Sequence, residues 1–580
     1  MQSVDLTTIN AAAEELRQLW IPARVEQVIQ RDRYTISVGL RTIDRRGWLK
    51  ISWHPQAARV CLGDRPPRTR DTFTFSDQLR HQLGGFAIIA IESIDPWERV
   101  IDFQFAKRPG DPLTWHLYVE IIGKYSNVIL TDREARIVTV AHQVSSSQST
   151  IRTVETGQVY EAPPALTGTV PKLSESFMSW QERVSLVPGP IKRQLLKCYR
   201  GLSPNLIFSM LRVAEVDPDR STDALNQADW QRLHTKWQEW LNRLEKKDFE
   251  PGWTDNGYTV MGWNILNPTE DVHSLLEDYY TQELNQQEFK QLRHQLLQKV
   301  GSLLKKLQVK ADNFKAKLQQ SDRADKYRQQ ADLLMAHLHI WQAGMKSITL
   351  EDFESGHPVK IPLNPEKNAV QNAQSLYKQH QKLKRAKIAV EPLLNEVSEE
   401  INYLQQIEAS LNDTEVYRNP DDLESLEEIR EELISQQYLE ASQYQNRSTK
   451  DEFSPHRYIS PSGFELWVGR NNSQNDRLSF RTATNYDLWF HTQEIPGSHA
   501  LLRLDPGSVP DETDLQFAAD LAAYHSRARQ SDRVPVVYTK PEHLYKPKGA
   551  KPGTVIYKHE TIIWGRPQMT NLYSNYKGKS

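Results

Sequence analysis

Two apolar stripes limit what this chain can become. Leu296, Val300, Leu303, Leu307, Ala311, Phe314 and Leu318 follow one another in steps of three or four, and after a lapse Tyr327, Ala331, Leu334, Leu338 and Trp341 resume the pattern. Leu383, Ala386, Val390, Leu393, Val397, Ile401, Leu404 and Leu411 repeat it further on. Such steps set side chains along one narrow side of an α-helix, which stays exposed unless a second helix covers it. The two stretches are therefore expected to pair as a long antiparallel coiled-coil arm. Pro392 has no amide proton and is expected to kink the start of the second helix. Between them, Gly344 to Pro365 mixes Gly, Pro and alternating apolar residues, the makings of a small tip.

The arm is unevenly charged. Lys290 to Arg328 holds eleven Lys or Arg against three acids, Lys378 to Lys387 adds five with none, and Asp and Glu dominate from Asp421 to Glu432. Lys305, Lys306 and Lys310 are the candidates for contact with a nucleic-acid phosphate backbone; a solvated helix face with no partner would look the same. The whole chain of 580 residues has a formal net charge of −2, so any phosphate-binding surface must be local. Its 38% hydrophobic and 25% charged residues suit a polar, multidomain protein. Two cysteines, Cys61 and Cys198, make neither a disulfide framework nor a zinc site. No apolar run reaches the length of a membrane span, and MQSVDLTTINAAAEEL has acids where a signal peptide needs basic and apolar residues. A cytoplasmic protein without membrane contact is expected.

Near the carboxy terminus, Phe464, Leu466 and Val468 alternate with Glu465 and Trp467, as in a half-buried strand. Gly469, Arg470, Asn471, Asn472, Ser473, Gln474, Asn475 and Asp476 follow, without an aliphatic side chain. Arg470 presents a planar fork for phosphate, and Asn471, Asn472, Gln474 and Asn475 present amides that can read base edges. An Asn-rich turn capped by its own side chains accounts for the same residues. Leu488 to His491 and the run after Ser498 and His499 read as further strands, Pro510 to Arg529 as a helix, and Val534 to Tyr538 and Thr554 to Tyr557 as more strands. Lys540, Lys546, Lys548 and Lys551 sit among prolines and glycines that resist helix formation, and their ammonium groups are expected to extend into water. His491 and His499, eight residues apart, match no common zinc spacing. Spacing alone does not decide whether Ser498, His491 and Asp487 form a catalytic triad.

The first 165 residues read as mostly strand, preceded by a helix marked by Ile9, Ala12, Ala13, Leu16 and Leu19. A second helix, Ser76 to Leu83, stops at Gly84 and Gly85. Three clusters carry chemistry: Trp53, His54, Pro55, Ala58 and Arg59; Glu98 with Arg99; and Gly123, Lys124, Tyr125, Ser126 and Asn127. The last lacks Walker spacing and serves equally as a hairpin tip. From Leu173 to Leu244 the pattern is helical, with Ser203 as a cap and Pro204 at the first helical position.

In order along the chain, GRNNSQND, DLWFH, PGSH, Tyr538 with Thr539, and KPKGAKPGTVIY closely resemble the RNA-binding module of the NFACT family, called RqcH in bacteria and NEMF in animals and also labelled fibronectin-binding protein A-like. The three amino-terminal clusters, with Ile151, Arg152, Thr153, Gly157, Tyr160, Pro163 and Pro164, resemble its amino-terminal module. The resemblance implies a ribosome quality control factor that binds the separated large ribosomal subunit carrying stalled peptidyl-tRNA. In the bacterial branch such a factor recruits tRNA-Ala for mRNA-independent alanine tailing. It also implies tRNA contact by Glu98, Arg99, Lys124, Asn127 and Arg59, and RNA contact by Arg470, Asn471, Asn472, Gln474, Asn475, Asp476, His491, Ser498, His499, Lys546, Lys548 and Lys551. The family's Asp-Arg pair is Glu98-Arg99 here, which lengthens the acid by one methylene. The family is related in fold to formamidopyrimidine-type DNA glycosylases, whose amino-terminal proline is absent: Gln2 and Ser3 follow Met1.

The expected fold is α+β and multidomain. A β-rich, glycosylase-like module at 1–172 contacts tRNA, a helix–hairpin–helix-like module spans 173–270, the coiled-coil arm spans 271–450 with its tip at about 344–365, an α/β RNA-binding module spans 451–570, and a tail closes the chain at 571–580. No intrinsic catalysis, cofactor, metal or DNA partner is expected, since the ribosome would perform peptidyl transfer. The alternatives are an RNA- or tRNA-binding sensor of stalled subunits without tailing, and a fibronectin-binding adhesin.

Overall fold

The computed structural model describes residues 1–67, 71–165, 167–441 and 453–576. The expected boundary between 450 and 451 and the last four residues of the tail lie outside the described residues. The described chain forms two compact units that part between Asn285 and Gln286.

In the first unit, Asp5 caps helix α1 (Leu6–Trp20) by accepting from the Thr8 amide. The buried face of α1, with Ile9, Ala12, Ala13 and Leu16, joins the core of a nine-stranded antiparallel sheet. Its strands are β1 (Ala23–Asp32), β2 (Thr35–Arg41), β3 (Arg46–Ser52), β4 (Arg59–Gly63), then, after helix α2 (Thr74–Leu83), β5 (Ala87–Ser93), β6 (Val100–Ala106), β7 (Trp115–Glu120), β8 (Asn127–Asp132) and β9 (Ile137–Val140). They run in the order β4-β3-β2-β1-β5-β6-β7-β8-β9, two meanders joined by a short pairing of Ala23 with Ile88 and Arg24 with Ala87. The α2 end is the expected one: the Gly84 amide bonds the Arg80 carbonyl, and Gly85 takes a left-handed φ of 81°.

Helices α3 (Phe177–Ser185), α4 (Ile191–Cys198), α5 (Pro204–Val213) and α6 (Gln227–Lys246) follow. They close around Trp180, Trp230, Trp237 and Trp240. Ser203 caps α5 as expected and also donates to Asp5, so one serine joins two helix starts. A small sheet of β10 (Gly252–Thr254), β11 (Gly257–Thr259) and β12 (Asn267–Pro268) leads into helix α7 (Val272–Ser321). The first turns of α7, with Val272, Leu275, Leu276, Tyr279 and Tyr280, belong to the amino-terminal core. The unit therefore extends past residue 271, where the arm was expected to begin, because this helix start carries an apolar face of its own.

In the second unit, α7 continues and is followed by α8 (Ala324–Ala336), the hairpin β13 (Ser347–Glu351) and β14 (Pro358–Pro362), and helix α9 (Ala369–Asp413). Phe289, Leu292, Leu296 and Val300 of α7 pack with Tyr403, Leu404, Ile407 and Leu411 of α9, while Ala311 meets Val397 and Ile401. Helix α9 runs through Pro392 without a break. Leu393, expected on the stripe, is exposed, and Leu394 packs in its place, because steps of four and three from Val390 reach Val397 through Leu394. Helix α10 (Pro420–Ser435) adds Leu423, Leu426, Ile429 and Leu433 to the same core.

The carboxy-terminal module contains β15 (His456–Ile459), β16 (Glu465–Val468), helix α11 (Asn472–Arg477), β17 (Leu488–Thr492), β18 (Ala500–Leu502), helix α12 (Glu512–Tyr524), β19 (Val534–Thr539), the short pair β20 (Leu544–Tyr545) and β21 (Ile556–Tyr557), and β22 (Thr561–Gly565). Six of these strands form one antiparallel sheet, in the order β15-β16-β18-β17-β19-β22. One face buries Leu466, Val468, Phe490 and Leu502 with Phe517, Ala518, Leu521 and Ala522 of α12.

Candidate nucleic-acid interface

Two of the amino-terminal candidate clusters share one end of the large sheet, because β5 and β7 run the same way, whereas β3, which leads to the third, runs the opposite way. The turn from β5 to β6 carries Glu98 and Arg99, the turn from β7 to β8 carries Lys124, and the turn from β3 to β4 ends at Arg59. Val100 opposes Glu120 across β6 and β7, and the Ile121 amide bonds the Arg99 carbonyl, which sets the first two turns side by side. Glu98 and Arg99 are half-buried, and Lys124 is exposed with its Nζ 4.9 Å from the Tyr125 ring. This rim offers two cations and a carboxylate to a ligand.

Arg59 and Asn127 are not on that rim. Arg59 is buried, donates to the Ala57 carbonyl and lies 5.2 Å from the Tyr280 ring. Beside it, burial pushes the Cys61 thiol up to about 12. Asn127 donates to the His142 carbonyl and accepts from the His142 amide, pinning the start of β8. Both side chains, expected to contact tRNA, are engaged here in positioning turns. Arg152 braces the same region: it clamps buried Glu120 with two hydrogen bonds of 2.6 and 3.0 Å, and Tyr160 donates to that carboxylate at 3.0 Å. Glu120 was not legible as a partner, since 32 residues separate it from Arg152.

The polar block after β16 is likewise turned inward. Asn471 caps α11 by accepting from the Gln474 amide. Its own amide group donates to Glu428 at 2.5 Å, and Gln474 donates to the same carboxylate oxygen at 2.9 Å. Asn472 donates to Glu432 at 3.1 Å. Arg470, 6% exposed, bonds Asp422 at 2.7 Å and the Ser454 carbonyl at 2.8 Å. Asn475 accepts from the His499 amide, and Asp476 pairs with Lys546 and accepts from the Gly553 amide. The acidic stretch from Asp421 to Glu432 is helix α10, and these side chains are what dock it. Of the residues expected to meet phosphate or base edges, Arg470, Asn471, Asn472 and Gln474 are engaged with α10 here, and Asn475 with the His499 amide. A buried amide left without a partner costs about 1–3 kcal/mol, and α10 supplies the partners.

The lysine loop divides in the same way. Lys548 is exposed, whereas Lys551 lies 4.5 Å from the Tyr403 ring, donates to the Tyr438 hydroxyl at 2.5 Å, and is held below the usual lysine range by burial. Lys546 is half-buried on Asp476. Of the four lysines Lys540 and Lys548 are exposed as expected, whereas Gly553, at a φ of 78°, brings the loop so close to Asn472 that a Cβ would stand 2.5 Å from its Oδ1, which draws the other two inward.

His491 and His499 meet edge to face at 5.2 Å over Trp489, and burial drives both below the ordinary histidine range, His491 to about 4. The Ser479 hydroxyl joins His499 Nδ1 at 2.8 Å and accepts from the Trp489 indole at 2.9 Å. Ser498 is buried, its amide bonding the His525 carbonyl. The Asp487 carboxylate accepts from the Thr484 and Leu504 amides and pairs with Arg503. These residues organise the turn around Gly497, and the triad of Ser498, His491 and Asp487 is not assembled. No spacing signalled a second cluster, in which Asp413, His456 and His525 bring three potential ligand atoms within 4.8 Å. There His525 bonds Asp413 at 2.7 Å and Tyr458 at 2.8 Å. Burial opposes ionisation of Asp413, but His525, His456 and Arg529 outweigh it and hold the carboxyl at about 2.

On the arm, Lys305, Lys306 and Lys310 are all exposed on α7, away from the packed stripe. They offer three ammonium groups to solvent along little more than one helical turn.

The family model described as NFACT N-terminal and middle domains matches residues 5–452, and the NFACT protein RNA binding domain matches residues 454–559. The protein described as Rqc2 homolog RqcH from Bacillus subtilis (strain 168) is 30% identical over 573 residues, 95% of this chain and 96% of that protein. The one from Streptococcus suis (strain 05ZYH33) is 30% identical over 580 residues, 97% of each. Among solved structures, the C-terminal part of the fibronectin/fibrinogen-binding protein from Streptococcus suis is 30% identical with a TM-score of 0.38, covering 50% of this chain and 99% of that one.

Proposed function

The chain belongs to the NFACT family, and we propose that, as a ribosome quality control factor, it binds the separated large ribosomal subunit carrying stalled peptidyl-tRNA and recruits tRNA-Ala for mRNA-independent alanine tailing. The observation that carries this reading is the match of both family models, in order, along nearly the whole chain. The rim of Arg99, Glu98 and Lys124 holds tRNA, the exposed lysines of α7 meet rRNA, and the carboxy-terminal module contacts RNA through groups such as Lys548 that α10 leaves exposed. The ribosome performs peptidyl transfer. The protein contributes positioning, and holding a reactant in place can by itself supply much of a rate enhancement. It does this in the cytoplasm, and no described helix is long and apolar enough to cross a membrane.

The test is to purify the tagged protein from its own cells and sequence the RNA that accompanies it. Large-subunit rRNA with enriched tRNA-Ala is expected, with the Arg99→Glu variant losing at least about tenfold of the tRNA while keeping the rRNA; a tenfold loss corresponds to about 1.4 kcal/mol. Unchanged tRNA recovery would remove Arg99 from the site. A second reading, a sensor of stalled subunits that does not tail, is favoured by Glu98 in the place of aspartate. It predicts rRNA with no selected tRNA. Absence of rRNA would overturn both.

A further inference from the structure

The opposite end of the nine-stranded sheet carries a charged surface that none of these roles uses. Strand direction places it there. Strand β6 leaves the Arg99 turn and ends at Ala106, so Lys107 and Arg108 lie at the far end, where Ala106 opposes Ala87 and Ala87 opposes Arg24. On the next strands Arg24 opposes Arg41, and Arg41 opposes Arg46. Three arginines thus stand in register across β1, β2 and β3, an arrangement that costs stability because like charges directly opposite repel. One carboxylate oxygen, Oε1 of Glu26, answers two of them, at 3.3 Å from Arg41 and 3.6 Å from Arg46.

These residues line a cavity of about 930 Å³ together with Arg45, Lys107 and Arg108. Among the described residues Asp44 is the sole acid in that lining. All six cations are exposed, and among the described residues Arg24, Arg45, Lys107 and Arg108 have no carboxylate within ion-pair distance. At the tip of the β2–β3 turn Ile43 is 99% exposed. A concentration of positive charge on a chain of net charge −2 marks a place for a polyanion. Among the described residues the lining has no aromatic ring to stack a base, and its cations are spread over several strand ends and turns, which suits a run of phosphates better than a single nucleotide.

We infer that this cleft is a second RNA-binding surface, which grips the phosphate backbone of a folded RNA and lays Ile43 against its sugars. The inference rests on the RNA-binding role proposed above and adds a site at the other end of the sheet from Arg99, so that one module can touch two RNA segments. A tRNA and an rRNA helix present the same phosphodiester chemistry.

The full-length protein carrying Arg45→Glu with Arg108→Glu tests it, against purified large ribosomal subunits and bulk tRNA over a salt series. Both changes lie in exposed turns, and Lys107→Glu is a second variant in case the pair disturbs folding. Affinity for one of the two RNAs is expected to fall at least about tenfold, with the salt slope reduced by about two. Loss confined to subunits identifies rRNA as the source, and loss confined to tRNA identifies tRNA. Wild-type affinity and slope for both would overturn the inference alone, whereas a wild-type protein that binds neither would overturn the proposed function with it. Retained RNA binding with diminished binding to phosphatidylglycerol vesicles would overturn it in favour of a membrane surface.

Discussion

His491 shows how a residue singled out for contact can instead set a stability limit. Its ring is buried over Trp489 beside His499, and burial lowers it from 6.5 to about 4. The unfolded chain therefore takes up a proton in this window that the folded module refuses. Stability is fully present above pH 6.5, rises with pH between about 4 and 6.5, and is lost as acid approaches the folded value. The slope is at most about 1.4 kcal/mol per pH unit for one histidine. Urea denaturation across the window should show at least this slope, since His499 is lowered beside it, and His491→Phe should reduce the slope by up to about 1.4 kcal/mol per pH unit. An equal slope in the variant would assign the pH dependence to other groups. DLWFH and PGSH are readable as strings, but a one-dimensional pattern does not distinguish a ring aimed at a ligand from one that fills a turn.

At the scale of elements, the junction of α10 with the carboxy-terminal module is visible in the sequence as two unmatched halves. The acidic run from Asp421 to Glu432 and the Arg-Asn-Gln run from Arg470 to Asn475 both stand out, yet their pairing spans about fifty residues, beyond any local periodicity. In the structure Arg470 meets Asp422, Asn471 and Gln474 meet Glu428, and Asn472 meets Glu432. Arg470→Ala leaves a buried carboxylate uncompensated and should cost about 3–5 kcal/mol. Hydrogen exchange should then quicken across Pro420–Ser435, while unchanged protection there would show that the apolar face of α10 suffices to dock it. The two stripes of the arm are legible because helical steps of three and four are local. The slip from Leu393 to Leu394 is not, since either leucine satisfies the count until α7 is in place.

For the whole molecule, a net charge of −2 means that RNA must be met by patches. One patch is local in sequence, with Lys305, Lys306 and Lys310 exposed on a single helix. Replacing all three with Gln should weaken binding to large subunits and lower the slope of log affinity against log salt by about one for each phosphate no longer neutralised. A wild-type slope would leave these lysines as a solvated face. The other patch, Arg24, Arg41, Arg46 and their neighbours, is assembled from several strand ends and turns, and in the sequence its members look like unremarkable arginines of a β-rich stretch.

The order of the two family regions, the helices whose apolar steps are local, the caps at Ser203 and Gly84 and, through ordered motifs, the family can all be read along the chain. Those features depend on neighbours within a few residues or on strings copied along the chain. Which polar side chains face outward depends on how distant segments pack. Arg470, Asn471 and Lys551 were committed to α10, Tyr403 and Tyr438, and Arg59 and Asn127 to their own turns. The physical reason is that a hydrogen-bonding group serves a ligand or a fold with the same chemistry, and the choice is made by whichever partner the packing of distant segments brings within about 3 Å.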